Sequence, residues 1–361
     1  MLAEGDEADM IGTKTPLARR YDVALLDLDG VVYVGEEPVL GASAGLSAAR
    51  ANGMRLAFVT NNASRTPQQV ADLLLRVGVP ADAGEIVTSS HAAAHYLADR
   101  LPTGAAVLVL GTTGLTQAVA ERGLRPVSSA DDDPQAVVQG YSPDLDWRAL
   151  AEGAVAIRRG LPWLATNLDA TVPSPRGPLP GNGSLVAALT HATGVTPAAT
   201  GKPDPAMHAE SVQRSKAKNP LVVGDRLDTD IEGARRVGCD SLLVLTGVTT
   251  AHSLLLADPM HRPDYLGHDV SALLSGHPDV RCDGKTARCG SATVRFEDST
   301  ATLTGAGHAG DDGLNPLRAL AVLCWALSDA GYPLPAIRPG DAESEHVLAG
   351  YGVATQAGDA H

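Results

Sequence analysis

The strongest constraint on the fold is the stretch 23–30, in which four apolar residues precede two closely spaced aspartates and a glycine. A short continuous apolar run is typical of a strand buried on both faces of a parallel sheet. Its carboxyl end would present Asp27 and Asp29, and ligands of open α/β sheets bind at that edge. Two carboxylates one residue apart repel each other unless a cation lies between them. The stretch therefore predicts a metal site at the edge of a parallel sheet.

Three further stretches place chemically useful side chains at the end of an apolar run or in a tight loop. In chain order they add a hydroxyl and an amide, then a single lysine between glycine and proline, then an acidic cluster. They are residues 56–62, ending in Thr60, Asn61 and Asn62; residues 200–204, containing Lys202; and residues 221–230, ending in Asp225, Asp228 and Asp230.

The order of apolar runs and helical stretches predicts the fold class. Strand-like and helix-like segments alternate from residue 22 to residue 101, and a new alternating series begins at residue 105. Such βαβ alternation predicts an α/β fold with a doubly wound, Rossmann-like parallel sheet. Thr60 follows Asp29 by 31 residues, but Lys202 follows Thr60 by 142 residues. A segment of domain size is therefore inserted between the second and third motifs.

The four motifs, in this order, resemble those of the haloacid dehalogenase-like phosphatase superfamily. The stretches 164–169 and 179–188 resemble its branch of phosphoglycolate, glycerol 3-phosphate, pyridoxal phosphate and p-nitrophenyl phosphate phosphatases. The resemblance implies that the insertion is a C2-type cap, an α/β lid domain that selects the substrate. The expected division is a disordered leader (1–20), a phosphatase core (21–92 and 197–275) and the C2 cap (93–196).

Residues 276–361 lie outside the resemblance. They contain a hairpin candidate at 292–298 and 300–303 and a helix candidate at 316–330. Strand–strand–helix is compatible with a fragment of an acetyltransferase-like fold, but the Arg/Gln-x-x-Gly-x-Gly/Ala loop that would hold acetyl-CoA is absent from the sequence. We expect an accessory, non-catalytic α+β region for packing or regulation. Its removal after residue 275 is predicted to leave turnover intact.

The resemblance also implies a role for each residue of the motifs. Asp27 would attack phosphorus and form an aspartyl-phosphate, which divides one difficult step into two easier ones. Asp29 would protonate the leaving alkoxide and later deprotonate the hydrolytic water. Thr60 and the backbone of Asn61 would donate hydrogen bonds to phosphate oxygens, and Lys202 would offset negative charge.

Mg²⁺ is the expected cofactor because the motifs offer hard oxygen ligands and no clustered His or Cys. The resemblance implies as ligands Asp27, the backbone carbonyl of Asp29, and Asp225, with Asp230 close by or acting through water. Asp228 lies between the two matched acids and could instead cap a helix that begins near Thr229. The sequence leaves open which of Asp228 and Asp230 is the nearer neighbour of the metal.

These observations predict a phosphoric monoester hydrolase that acts on a small phosphorylated metabolite, with glycerol 3-phosphate and phosphoglycolate as the first candidates. A phosphotransferase uses the same aspartyl-phosphate, and a receiver-like signalling protein also gathers acids, a hydroxyl and a lysine around Mg²⁺. The inserted segment and the second acid at Asp29 count against the receiver. Two residues of the insertion, Asn167 and Asp169, could face the active site or form a structural turn.

Composition and charge limit the possible partners. The net charge of −14 and the 3% aromatic content argue against nucleic acid and anionic membranes as partners. Residues 1–20 lack the apolar core of a signal peptide, so we expect a cytoplasmic protein. Caps of the resembling branch often mediate dimers, which makes a homodimer the expected assembly.

Overall fold

The computed structural model describes residues 10–35, 37–172, 176–306 and 312–353. The helices are α1 (Leu17–Arg20), α2 (Ala42–Ala51), α3 (Pro67–Arg76), α4 (Ser89–Ala98), α5 (Thr113–Glu121), α6 (Trp147–Arg158), α7 (Asn182–Thr193), α8 (Pro205–Ser215), α9 (Glu232–Val237), α10 (Ala251–Leu255), α11 (Asn315–Asp329) and α12 (Ala342–Gly350). Short 3₁₀ turns occupy Ala83–Glu85, Pro259–His261 and Val270–Leu274, and a π-helical turn occupies Leu227–Ile231.

Within the described residues, twenty strands form three larger sheets and two small ribbons. In chain order they are β1 (Val23–Leu26), β2 (Tyr33–Val34), β3 (Glu37–Pro38), β4 (Arg55–Thr60), β5 (Ile86–Thr88), β6 (Ala106–Leu110), β7 (Arg125–Val127), β8 (Ala136–Gln139), β9 (Trp163–Ala165), β10 (Thr171–Val172), β11 (Leu179–Pro180), β12 (Ala198–Ala199), β13 (Pro220–Gly224), β14 (Asp240–Val244), β15 (Tyr265–Gly267), β16 (Val280–Cys282), β17 (Thr286–Cys289), β18 (Ala292–Glu297), β19 (Thr300–Thr304) and β20 (Ala336–Pro339).

The core sheet has six parallel strands in the order β15-β14-β13-β1-β4-β5. All four residues of β1 are buried, because both faces of the sheet are covered. Ala24 and Leu26 pack in one hydrophobic cluster with α2 and α3, while Val23 and Leu25 pack in another with α8 and α9. The expected doubly wound parallel sheet is therefore confirmed.

A second sheet, the cap sheet, lies in the chain between β5 and β13. Its five strands are also parallel, in the order β12-β9-β8-β6-β7. It too has a hydrophobic cluster on each face, one containing Val107 and Val138 and the other containing Leu108 and Val137. The expected boundaries differ from the observed elements at both ends. Helix α4 continues through residue 92, and β12, which was assigned to the core, pairs with β9.

The C-terminal sheet has five strands in the order β16-β17-β18-β19-β20. The first four are antiparallel, and β20 joins β19 in parallel. Helix α11 is buried along most of its length, and it shares one hydrophobic cluster with strands β14 and β15 of the core sheet. The expected hairpin and helix are present. The sequence interpretation missed β16, β17, β20 and α12, and the region is not a loosely attached tail.

The start of the described chain is ordered, which corrects the expectation of a disordered leader through residue 20. Met10 is buried, the Ile11 amide donates to the Asp264 carbonyl at 2.9 Å, and Thr13 forms a β-bridge with His277. These contacts join residues more than 250 positions apart, so no local pattern could predict them. Residues 1–9 lie outside the described part. Among the helices of the described chain, none has the length and apolar character needed to cross a membrane.

Candidate active site

Three neighbouring strands of the core sheet end at one edge, and each presents a polar side chain there. Strand β1 ends one residue before Asp27, β4 ends on Thr60, and β13 ends one residue before Asp225. Because β1 pairs with both β4 and β13, these three side chains meet at the carboxyl edge of the sheet. This is the edge at which open α/β sheets bind ligands.

Lys202 reaches this edge from the loop between β12 and α8. Its ammonium group is buried and lies 2.6 Å from Asp27 Oδ1 and 2.6 Å from Asp230 Oδ1. Burial alone would lower the pKa of Lys202, but the charges of Asp230 and Asp27 raise it above its ordinary value. The lysine is therefore a fixed cation between two carboxylates.

The carboxylates of Asp27, Asp225 and Asp230 form a compact group. One oxygen from each lies within 4.8 Å of the others. Burial raises the pKa of Asp225 to about 6, and the charge of Asp230 adds to the rise. Burial likewise raises the pKa of Asp27, against the lowering effect of Lys202. When ionised, three carboxylates and one ammonium leave two negative charges uncompensated at this edge.

This donor set fits a hard divalent cation such as Mg²⁺. The atoms are carboxylate oxygens, the ligands that Mg²⁺ prefers, and among the described residues the buried Asp225 Oδ1 has no hydrogen-bond partner. A buried polar atom without a partner costs free energy, and a bound cation would remove that cost. Of Asp228 and Asp230, it is Asp230 that contributes a carboxylate oxygen to this group.

A glycine-containing turn after β14 holds Asp225. The Val248 amide donates to Asp225 Oδ2 at 2.7 Å. A Cβ atom at Gly247 would overlap Asp225 Oδ2, and Gly30, at φ +86°, approaches the same carboxylate closely. Sequence reasoning missed this turn, although a glycine shortly after a parallel strand is a usable signal of close backbone approach.

Asp29 lies beside the acidic group and contributes no carboxylate to it. Its side chain is exposed, and its Oδ1 accepts a long hydrogen bond of 3.5 Å from the amide of Gly35 in the β2–β3 hairpin. Partial desolvation of this carboxyl raises the pKa of Asp29 above its ordinary value, against the lowering effects of the bond from Gly35 and the charge of Arg65. A carboxyl with a raised pKa at the solvent side of the site suits proton transfer to a leaving group.

Asn61 joins the second and third motifs through its side chain. Its Oδ1 accepts from the Lys202 amide at 2.8 Å, and its Nδ2 donates to the Lys202 carbonyl at 3.2 Å. Sequence analysis assigned a role only to the backbone of Asn61, so this positioning of the lysine loop is an addition. Thr60 is buried, and its Oγ1 accepts from the Asn62 amide, which leaves the hydroxyl proton free to donate.

Asn167 and Asp169, in the loop that follows β9 of the cap sheet, both contact Asn61. Asn167 is buried and donates from Nδ2 to the Asn61 carbonyl at 2.6 Å. Asp169 Oδ2 accepts from Asn61 Nδ2 at 3.2 Å. The sequence left open whether these residues face the site or form a turn; both contact a residue of the core site.

Asp228 lies outside the acidic group and does not cap a helix. The π-helical turn begins at Leu227, so Asp228 lies within its first turn rather than at its N-cap. Its carboxylate accepts two hydrogen bonds from Arg226, from Nε at 3.0 Å and Nη2 at 2.8 Å. This pairing corrects the expectation that Asp228 caps a helix beginning near Thr229.

Comparisons with known proteins agree with this geometry. A family profile described as haloacid dehalogenase-like hydrolase matches residues 24–125, and a second HAD-like hydrolase profile matches residues 199–273. The D-glycerol 3-phosphate phosphatase of Mycobacterium tuberculosis is 46% identical over 314 residues, covering 86% of this chain and 87% of that protein. The 5′-nucleotidase YutF of Bacillus subtilis is 38% identical over 264 residues, covering 73% of this chain and 100% of that protein.

Solved structures show similarity at two levels of coverage. The glycerol phosphate phosphatase Rv1692 of M. tuberculosis in complex with magnesium superposes with a TM-score of 0.85 at 42% identity, covering 95% of this chain and 100% of that one. The p-nitrophenyl phosphatase of Archaeoglobus fulgidus has a TM-score of 0.65 at 29% identity, covering 70% of this chain and 98% of that one. The mycobacterial structure thus matches more of the present chain than the archaeal one does.

Proposed function

The chain belongs to the haloacid dehalogenase-like hydrolase family, and we propose that it is a Mg²⁺-dependent phosphatase of glycerol 3-phosphate or a closely related small phosphate monoester. The observation that supports this best is the placement of Lys202 between Asp27 and Asp230, beside Asp225, at the carboxyl edge of the core sheet. Relatives named for glycerol 3-phosphate and for acid sugar phosphates support a small polar substrate.

In the proposed reaction, Asp27 is the nucleophile. One carboxylate oxygen of Asp27 bonds to phosphorus while the bond from phosphorus to the ester oxygen breaks. Asp29 gives its proton to the departing alkoxide, so the alcohol leaves neutral. Asp29 then takes a proton from water, whose oxygen attacks the phosphorus of the aspartyl-phosphate and releases inorganic phosphate and free Asp27. Proton transfer of this kind contributes about 10²–10⁴-fold.

Charge neutralisation is the second requirement, because phosphoryl transfer depends mostly on positioning and on electrostatic stabilisation. Lys202 offsets charge on Asp27 and on the phosphate oxygens, and Thr60 with the backbone of Asn61 donates hydrogen bonds to those oxygens. Asp27, Asp225 and Asp230 would hold Mg²⁺, together with the backbone carbonyl of Asp29. When bound, the ion supplies positive charge that lets a carboxylate approach an anionic phosphate.

The proposed division of labour follows the three sheets. Residues of the core sheet and Lys202 perform the chemistry, residues 93–196 select the substrate as a C2 cap, and the C-terminal region takes no part in the chemistry. A homodimer and a cytoplasmic location remain predictions from the sequence.

The test is phosphate release from a panel of esters with Mg²⁺ or with EDTA. The panel contains glycerol 3-phosphate, phosphoglycolate, sugar phosphates, nucleoside monophosphates and pyridoxal phosphate. We expect turnover that requires Mg²⁺ and that falls by about 10⁴-fold or more in Asp27→Asn, the scale for loss of a covalent nucleophile. Asp228→Asn, a matched loss of one carboxylate outside the acidic group, should retain most of the turnover.

Two results would overturn the proposal. Turnover that persists in EDTA would remove the metal from the mechanism, and full turnover in Asp27→Asn would remove the nucleophile. If acetyl phosphate labels Asp27 but no ester of the panel is hydrolysed, the chain is a phosphotransferase or a receiver-like protein instead.

A further inference from the structure

The loop that follows β9 brings an acidic side chain from the cap sheet to the core site. We propose that Asp169 is a specificity residue, which favours substrates with neutral hydroxyl groups near the phosphate and disfavours those with a second anion there. This inference rests on the proposed phosphatase function and concerns the same site. It chooses between the two leading substrates, since glycerol 3-phosphate carries hydroxyls where phosphoglycolate carries a carboxylate.

The backbone of this loop is held in place by close packing. Asn182 Nδ2 donates to the Asn167 carbonyl at 2.8 Å, and the Gly183 amide donates to the Asp169 carbonyl at 2.9 Å. A Cβ atom at Gly181 or Gly183 would overlap backbone atoms of residues 168–169. The loop is therefore positioned by its neighbours, and the direction of Asp169 follows from that packing.

The Asp169 carboxylate reaches across to the core site. Its Oδ2 accepts a hydrogen bond from Asn61 Nδ2 at 3.2 Å. Asn61 directly follows Thr60, and its side chain bonds to both the amide and the carbonyl of Lys202. Within the described residues, Asp169 Oδ1 has no hydrogen-bond partner. The phosphate proposed to lie at Asp27 would point its ester group away from the core sheet and toward this loop. A hydroxyl of the alcohol could then donate to the unpartnered oxygen.

The surrounding charges leave the negative charge of Asp169 largely uncancelled. Burial raises the pKa of Asp169, while Arg226, the bond from Asn61 and Lys202 act against that rise. Arg226, however, already donates to both oxygens of Asp228. Lys202 is shared between Asp27 and Asp230. A substrate carboxylate placed here would therefore meet a like charge, while the two cations that act on Asp169, Arg226 and Lys202, already pair with other carboxylates.

The experiment measures kcat/KM for glycerol 3-phosphate and for phosphoglycolate in the full chain with Mg²⁺ at pH 8. The ratio of kcat/KM for glycerol 3-phosphate to kcat/KM for phosphoglycolate is compared between wild type and Asp169→Asn. Asparagine keeps an oxygen that accepts from Asn61, so the substitution removes charge rather than the bond. We expect the ratio to fall by at least about tenfold, the scale of one like-charge contact at partly buried separations.

Two variants make the result specific. Asp131→Asn removes one charge from the surface of the same inserted segment, where the Asp131 side chain is 85% exposed and pairs with Arg159; it should leave the ratio unchanged. Asp169→Glu restores the charge and should restore most of the preference. It also provides a second reading if Asp169→Asn does not fold.

The outcomes separate this inference from the proposed function. If wild type hydrolyses neither ester, the proposed function fails. If wild type hydrolyses glycerol 3-phosphate and the ratio is the same in Asp169→Asn and wild type, the function stands and the specificity role of Asp169 is refuted. A ratio that falls equally in Asp131→Asn would also refute it, because net charge would then explain the effect.

Discussion

The cap sheet and the C-terminal sheet are both joined to the core sheet, but by different kinds of contact. The cap sheet has a hydrophobic cluster on each face and touches the core site through hydrogen bonds, such as Asn167 to the Asn61 carbonyl and Thr112 Oγ1 to the Ser64 carbonyl at 2.9 Å. The C-terminal sheet shares one hydrophobic cluster with the core, in which Trp325 and Leu320 lie with Leu254 and other residues.

This difference separates a region that tunes function from a region that stabilises the fold. Burial of apolar surface contributes about 25 cal/mol per Å² and cannot be replaced by water. Hydrogen bonds across a junction exchange readily with water, and each contributes only about 0.5–1.5 kcal/mol net. We therefore expect substitutions at the junction with the cap sheet to change turnover or specificity, and loss of C-terminal contacts to change stability.

Truncation after residue 275 gives the largest expected effect and revises the expectation from sequence. The deletion would expose the cluster around Leu243, Leu254 and Leu266, and it would leave the buried guanidinium of Arg262 without Asp329. Because Asp329 is half exposed, this ion pair contributes less than a fully buried one, and exposure of the apolar cluster is the larger loss. We expect the truncated chain to be insoluble or unfolded, as measured by expression and circular dichroism. A soluble truncated enzyme with full turnover would contradict the conclusion that the C-terminal region stabilises the fold.

Two buried tryptophans, one in the C-terminal region and one in the cap sheet, allow a matched comparison in which a smaller loss of stability is expected. Trp325 Nε1 donates to the Leu254 carbonyl at 2.8 Å, whereas the buried Trp163 Nε1, in the cap sheet, has no partner in the part of the chain that the structure describes. Trp325→Phe should lower the free energy of unfolding by about 0.5–1.5 kcal/mol, the net contribution of one hydrogen bond, because the Leu254 carbonyl keeps the bond from the Ala257 amide at 3.2 Å. Trp163→Phe should cost less, since its indole nitrogen is already unsatisfied. Urea unfolding of both variants measures the difference, and equal losses would refute it.

Glu210 lies at the junction of the inserted segment with the core. Its substitution should cause the smallest loss of stability of the three changes. This buried carboxylate accepts from Arg122, which follows α5, at 2.5 Å and from Arg214 of α8 at 2.7 Å. Both arginines are about 30% exposed, so we expect Glu210→Gln to lower the free energy of unfolding by at most about 1 kcal/mol.

The contribution of Glu210 to the free energy of unfolding should also depend on pH. Burial acts to raise the pKa of Glu210, but the bonds from His95 and Arg214 and the charge of Arg122 lower it below its ordinary value of 4.5. Since the folded pKa is depressed, the stabilisation is present above pH 4.5 and is lost as pH falls through the folded value. Urea unfolding from pH 7 down to pH 3 should show the difference between wild type and Glu210→Gln shrink. A difference that grows in acid would contradict this assignment.

Much of the core was predictable because its signals are local. The apolar runs of β1, β4 and β13 each end in polar residues, and the helix after Thr66 begins at Pro67, where the Gln69 amide donates to the Thr66 hydroxyl. Strand ends then determine which side chains meet, so the sequence alone predicts that Asp27, Thr60 and Asp225 lie together.

The features that could not be predicted depend on distant partners. Strand β12 has only two residues, and its membership of the cap sheet depends on pairing with β9. Strands β16 and β17 contain exposed charged residues, which weaken their alternating pattern. The side-chain bonds of Asn61 to Lys202 join residues 141 positions apart. Such contacts follow from packing, which a local pattern does not report.

In the proposed mechanism, Asp27 accepts the phosphoryl group at the carboxyl edge of the core sheet. The most direct measurement is a single turnover of glycerol 3-phosphate with Mg²⁺, quenched in acid, with mass spectrometry of the peptide that contains Asp27. We expect a transient phosphoryl group on Asp27 that forms and decays at rates matching phosphate release, and none in Asp27→Asn. Phosphate release by wild type without that group, or release by Asp27→Asn at the wild-type rate, would contradict it.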